Sequence, residues 1–466
     1  MSNEQAITLE FINCLAESIG ATHGLTDSEI DTLVAKFTKH HETMEEYRKN
    51  DSGHFNLPYQ DLTAVNDLLQ AHSGKWKDLV VLGASGAVAG AQVLTGSLLP
   101  PFWNERDEKA RGKAPRLHIL DNLDPMSLES VWEIIDAKKT LFVVISRSGQ
   151  TPETNAVLLW LLTSLKANAT KTAPTKQIIL ATEGSDSPLA AIAKEEKLQT
   201  LELATTIADH YAALGPEALL VTGLVGVDIE AVLAGAKAMD ERTRHDDAMK
   251  NPAYLHSLIH YLLTRKRRKT IHAIMSFSDR LKPVTRWYNH LLAVSLGKLL
   301  NRKGKAVHVG PGPAECFGPC GSYDQMQLWQ EGPFDKVITF ITVQDHGKAF
   351  AIPSYDGDEA ISCIADHDGS ELIDASYHSA VSVITSAGRP SLRLDLQEVS
   401  PETVGGLIYL LQLSTVMSAE LYGIDPFTYP GIDNSRQNLA AQFGRSGYED
   451  RAEAIKSYKE RPVKSC

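Results

Sequence analysis

The chain has 466 residues, is 43% hydrophobic and 22% charged, and carries a formal net charge of -12, enough length for two or three domains with substantial cores. The acidic balance excludes nucleic acid and anionic membrane surfaces as default partners, so any anionic ligand has to be held by a local site. Residues 1–5 lack the basic start and apolar core of a signal peptide, and five unpatterned cysteines (Cys14, Cys316, Cys320, Cys363, Cys466) fit reduced thiols in a cytoplasm.

Residues 1–60 read as helical, with Thr26-Asp27-Ser28-Glu29 as an N-cap signal before an amphipathic run from Ile30 to Tyr47. Short apolar runs at 79–82, 117–120, 141–145, 177–181 and 200–203 then alternate with helical periods, the pattern of a doubly wound parallel sheet with its ligand at the strand C-termini. This first α/β unit is expected over 61–225, and connecting helices over 226–265. The basic cluster Arg265-Lys266-Arg267-Arg268-Lys269 reads as a solvated helix end.

A second α/β unit is expected over 266–420, with strands at 271–277, 306–309, 336–343 and 391–396. Helices are expected at 282–301, 323–330 and 369–385, and Gly310 to Glu315 reads as a flexible loop. The apolar stretch 404–417 is shorter than a bilayer span and reads as a buried core helix. A tail over 421–466 completes the chain. Cys316 and Cys320 lack the second Cys or His pair that a zinc site requires, so no metal is expected. The fold class is therefore α/β, two tandem doubly wound units with helical segments at both ends.

The most informative stretch is Val143-Val144-Ile145-Ser146-Arg147-Ser148-Gly149-Gln150-Thr151-Pro152-Glu153-Thr154. A β-branched strand stops at a hydroxyl-rich turn and opens straight into an apolar helix. Such a turn aims backbone N–H groups, the hydroxyls of Ser146, Ser148 and Thr151, and a positive helix end at one point, which suits a phosphate or sulfonate. The plainer reading is a capped βα turn without a ligand, since Ser and Thr are ordinary caps.

The two α/β units, the Ser-Arg-Ser-Gly-Gln-Thr loop and the tail Gly423-Ile424-Asp425-Pro426-Phe427 together resemble the glucose-6-phosphate isomerase family with its two sugar-isomerase domains. Phe277 to Leu281, Ser295-Leu296-Gly297-Lys298, Gln327 to Pro333 and Tyr422 to Arg436 match it in order. The resemblance implies that the loop from Ser146 to Thr151 binds a sugar 6-phosphate, with Arg147 where lysine is usual and its planar fork suited to the oxyanion. Ser85 and Gly86, in the glycine loop after the first strand, join the expected binding residues. That loop should read Gly-x-Gly-Gly-Ser and instead reads Gly83-Ala84-Ser85-Gly86-Ala87.

The reacting end departs further. The family's proton-transferring glutamate falls at Val294, its ring-opening histidine at Tyr323, its C-terminal lysine at Arg436, its preceding glutamine at Tyr429, and its enediolate-steadying arginine at His210. Valine cannot accept a proton, and general-base catalysis contributes roughly 10²–10⁴-fold. His290, one helical turn before Val294, shares its face and titrates near neutrality; its plainer reading is a helix histidine satisfied by a carbonyl. Glu315 is the other nearby carboxylate. Arg436 stays charged, and with Arg147 it would give the pocket two fixed cations, suiting a doubly anionic or sulfonated ligand.

The first reading is a cofactor-free aldose-ketose isomerase of a hexose with an anionic C6 group, a 6-phosphate or a 6-sulfo or amino-modified sugar. His290, Tyr323, Arg436 and His210 are its candidate catalytic residues. The second is a non-catalytic sugar-phosphate sensor. The resemblance also implies a homodimer that shares its site through Gly318 to Gln325.

Overall fold

Alternation of apolar runs and helical periods yields two five-stranded sheets in the computed structural model, which describes residues 6–50, 53–168, 174–184 and 186–462. Residues 1–5 and Cys466 lie outside these. The described chain opens on a strand, β1 (Ile7–Glu10), paired antiparallel with the last strand of the second sheet. This corrects the expectation of helix throughout 1–60: four alternating residues are too short a signal, and their pairing is fixed from the far end of the chain. Helices α1 (Asp27–Val34) and α2 (Phe37–Lys49) follow, and Thr26 closes a full capping box with Glu29. The single run expected from Ile30 to Tyr47 is interrupted at Ala35-Lys36.

The first unit contains β2 (Asp78–Leu82), α3 (Gly86–Leu98), β3 (Arg116–Leu120), β4 (Thr140–Ile145), α4 (Pro152–Asn168), β5 (Ile178–Glu183) and β6 (Gln199–Leu203). The strands are all parallel in the order β3-β2-β4-β5-β6. β2 and β4 are buried from end to end, as continuous apolar runs require when helices cover both faces. Strand order reverses between β2 and β4, so a crevice opens at their C-terminal ends. At its floor, a side chain on Gly83 would meet the carbonyl of Ile145 and the side chain of Val88, each at 2.7 Å.

Helices α5 (Ile229–Arg242) and α6 (Pro252–Arg267) lead to the second unit. The basic cluster is not simply solvated. Arg267 forms a two-pronged pair with Glu29, 2.7 and 3.0 Å, and buried Lys269 donates to the Phe334 carbonyl at 2.7 Å. Their partners are scattered along the chain, so local charge density alone misreads them.

The second sheet runs β1, β12 (Ser391–Glu398), β11 (Lys336–Asp345), β7 (Ile271–Ser276), β10 (Gly312–Phe317). It is built around β7 (Ile271–Ser276), after which come α7 (Lys282–Leu296) and the antiparallel hairpin of β8 (Lys298–Leu300) and β9 (Ala306–Val309). Next are β10 (Gly312–Phe317), α8 (Gly321–Glu331), β11 (Lys336–Asp345) and β12 (Ser391–Glu398). Three expectations are corrected here. Residues 306–309 belong to the hairpin, and the supposed loop 310–315 supplies the sheet strand β10, tolerated with Pro313 because it is an edge. The helix expected to Asn301 stops at Leu296, before Gly297.

Helix α9 (Pro401–Tyr422) is buried from Thr403 to Ala419 and packs against α5, α6 and α7. It is long and apolar enough to cross a membrane, yet 89% of its most apolar window is buried inside the fold, so it is the core helix the sequence predicts. The tail adds α10 (Pro430–Gln442).

Candidate active site

The turn after β4 is shaped by Gly149 at φ +65°, a left-handed position that favours glycine. It is fixed by Ser146 N–H to Ala181, Gly149 N–H to Ser146, and Glu183 N–H to the Arg147 carbonyl. Ser146 is buried and donates its hydroxyl to Thr151 at 3.3 Å. Ser148 is exposed and its Oγ accepts from Gln150 N–H at 3.3 Å. The first turn of α4 adds N–H groups without intrahelical acceptors.

Arg147 does not face this turn's open side, which corrects the expectation of an anion-gripping fork. Its guanidinium is buried and donates to Glu217 Oε1 at 2.6 Å and to the Ala204 carbonyl at 2.5 Å. Its Nε lies 2.9 Å from Glu183 and 3.4 Å from Asp209. A guanidinium buried here has to be paired, and these carboxylates supply the partners that hold it inward. Arg147 is thus a structural cation, and the turn is left with its amides and hydroxyls.

Beside the turn lies a cleft of about 240 Å³ between the two units. The first unit contributes Ser85, Gly86, Thr151, Glu153, Asp209 and His210. Ser85 stands at φ +46°, a glycine-type backbone carried by a non-glycine residue. Helix α7 presents His290 and Val294, and the tail presents Tyr429 and Arg436. His290 Nε2 and Asp209 Cβ come within 3.3 and 3.5 Å of the point a side-chain carbon on Gly86 would occupy. No carboxylate stands at position 294, but an imidazole enters the cleft from one turn earlier.

The electrostatics are set by few groups. Burial lowers the His290 pKa, with Asp209 opposing it, so the neutral ring is favoured. Burial also pushes His210 down to about 4. Its Nε2 lies 2.9 Å from the Pro426 carbonyl and must carry the proton there, which leaves Nδ1 as a lone pair with no partner among the described residues. His210 is therefore no proton donor toward the cleft. Arg436 lies 3.6 Å from Asp209 and 3.9 Å from Asp433, with its guanidinium 5.6 Å from the centre of the Tyr429 ring.

Asp209 thereby links Arg147 to Arg436. The two arginines face Glu183, Asp209 and Glu217, so this cluster is net negative, which corrects the expectation that Arg147 and Arg436 give the pocket two fixed cations for a doubly anionic ligand. Tyr323, on α8, is 91% exposed and stands outside its own chain's cleft. Glu315 lies on β10, 3.9 Å from Arg286, and is also absent from the cleft wall. Sequence reasoning missed Glu183, Asp209 and Glu217. Glu217 alone left a trace, as a carboxylate in the otherwise apolar run Glu217-Ala218-Leu219-Leu220-Val221, which demands a buried cation.

A family model described as phosphoglucose isomerase matches residues 63–457. The chain is 32% identical to a glucose-6-phosphate isomerase of Carboxydothermus hydrogenoformans, over 94% of this chain and 95% of that one. It is 31% identical to one of Rubrobacter xylanophilus, over 80% and 83%. A crystal structure of a Thermus thermophilus protein superposes with a TM-score of 0.80 at 26% identity, covering 94% of this chain and 100% of that one. A glucose-6-phosphate isomerase structure from Chlamydia trachomatis gives 0.81 at 17% identity, covering 98% and 92%, a likeness of fold.

Proposed function

This chain belongs to the phosphoglucose isomerase family, and from that premise we propose that it interconverts an aldose and a ketose of a hexose bearing an anionic C6 group, with His290 moving the proton. The observation that carries the reading is the entry of a neutral imidazole into the cleft one turn from Val294. The open-chain sugar lies with its C6 anion against the amides and hydroxyls of the turn from Ser146 to Thr151. His290 takes the proton from C2 and returns it to C1, and between the two steps the O2 hydroxyl proton passes to O1 of the enediolate, so that C2 becomes the carbonyl. Arg436, tethered by Asp209, stabilises the enediolate oxygen. His210, with its proton committed to Pro426, serves as an acceptor that orients a hydroxyl. No cofactor enters this course.

The test is exchange of the C2 proton with deuterated water, followed by NMR on 6-phospho and 6-sulfo hexoses. Exchange should occur, and His290→Ala should lower its rate by roughly 10²–10⁴-fold without changing ligand affinity more than a few-fold. Exchange that survives His290→Ala unchanged removes His290 from the role. The second reading, a non-catalytic sugar-phosphate sensor, is favoured by Val294, and binding without any exchange would establish it.

The proposal includes a symmetric cytoplasmic homodimer, the commonest closed assembly, in which Tyr323 reaches the turn of the partner. Its 91% exposure supports this placement. Light scattering that gives a monomer with ligand binding intact would remove it.

A further inference from the structure

The turn from Ser146 to Thr151 carries an arginine that does not serve it. Arg147 is engaged by Glu217, Glu183, Asp209 and the Ala204 carbonyl, so the open side of the turn offers amides and hydroxyls but no positive side chain of its own. The charges behind it are net negative, because Arg147 and Arg436 face three carboxylates. Glu153 adds another in the first turn of α4. A phosphate on this turn, with a charge of about -1.5 to -2, needs a cation from elsewhere in the fold to offset that cluster.

A cation arrives there from the other end of the chain. Beyond α10, Gly444 at φ +74° and Gly447 at φ +87° bend the backbone before helix α11 (Glu449–Lys459). Arg445, between the two glycines, donates from Nη2 to Gln150 Oε1 at 3.0 Å. Gln150 lies within the turn, its N–H donating to Ser148 Oγ at 3.3 Å, so the guanidinium stands one glutamine side chain away from the backbone of the turn. Its side-chain partners among the described residues are neutral: Gln150, and the Tyr448 ring with its centre 5.7 Å from the guanidinium. Arg451, the next arginine of the tail, instead bonds Asn438 and Asn434 at 2.9 and 3.2 Å. A guanidinium that rests on one amide oxygen keeps most of its donors in hand. Exchanging that oxygen for an anionic one makes the bond about twice as strong.

We infer that Arg445 is the charged residue of the C6 anion site: in the sugar complex its guanidinium leaves Gln150 and pairs with the phosphate or sulfonate on the turn, the part that Arg147 cannot take. This rests on the sugar-phosphate reading above and adds to it a binding residue from the tail.

The test is titration calorimetry of the full chain near neutral pH with glucose 6-phosphate and with 6-deoxy-6-sulfoglucose. Arg445→Gln and Arg445→Ala should each weaken whichever sugar binds by roughly tenfold or more, the range for a hydrogen bond to a charged group. Two further variants separate contact with the anion from bracing of the tail. Arg451→Ala should leave the affinity unchanged, and Gln150→Ala should leave it unchanged or tighter, because it removes only the resting partner of Arg445. Wild-type affinity retained in both Arg445 variants overturns the inference alone, as does an equal loss in Arg451→Ala or in Gln150→Ala. Failure of the unaltered chain to bind either sugar overturns the sugar-phosphate reading together with it.

Discussion

The first α/β unit carries a buried ion pair beside its ligand turn, whereas a row of buried neutral imidazoles backs the second. In the first, Arg147 and Glu217 meet at 2.6 Å with side chains only 1% and 2% exposed. Against the second, His256 and His260 of α6 and His272 of β7 form a row with neighbouring ring centres 4.4 Å apart and planes tilted by 48°. Each of these imidazoles bonds one hydroxyl: His256 to Ser414 at 2.7 Å, His260 to Thr339 at 3.0 Å and His272 to Thr264 at 2.9 Å. Burial drives all three toward the neutral form, His256 to about 4 and His272 to about 3, and His260 downward likewise. A compensated ion pair is cheap to keep and expensive to break; a neutral histidine cluster costs little until the medium can protonate the unfolded chain.

Breaking the pair should give the largest effect. Glu217→Ala should destabilise the protein by about 3–5 kcal/mol in urea unfolding, because Arg147 is left buried and undercompensated. Arg147→Met combined with Glu217→Leu should recover most of that loss, as apolar replacements of whole ion pairs do. A loss under about 1 kcal/mol for the single variant would show that Glu183 and Asp209 suffice for Arg147 and that the contrast between the units is not one of charge.

Acidification probes the other unit. The three histidines have folded-state pKa values depressed below the ordinary value, so their contribution is fully present above about pH 6.5 and is lost as pH falls toward the folded values. Each should remove up to about 1.4 kcal/mol per pH unit in that window. The pH slope of unfolding should shrink in His260→Gln, which keeps a polar group near Thr339 but does not titrate. An unchanged slope would assign the acid sensitivity elsewhere, His54 being the next buried imidazole.

The smallest effect sharpens the comparison as a control. Thr26→Ala removes the capping box of α1, in the segment that Arg267 ties to the second unit. It should cost about 1 kcal/mol and alter neither the pH slope nor sugar binding. A changed slope would mean that this segment and the histidine cluster unfold as one unit.

The turn from Ser146 to Thr151, the strands around it and the α1 cap were legible because each depends on neighbours a few residues away. Apolar runs with helical periods between them dictate parallel strands, a glycine at φ +65° dictates the turn, and Thr26 with Glu29 dictates a helix start. The convergence of Gly86, His290 and Arg436 was legible only through resemblance, since no local pattern relates residues so far apart. Pairing of β1 was illegible for the same reason.

The amino-acid sequence by itself therefore determined the α/β class, the two units, the buried α9 and the absence of a carboxylate at Val294. Only the tertiary structure decided where side chains point. Arg147 reads as a ligand-binding cation from its neighbours, but Glu217, seventy residues on, Glu183 and Asp209 turn it inward. A buried guanidinium follows the carboxylates that repay its desolvation, and those are chosen by the packing of distant elements and not by the turn that carries it.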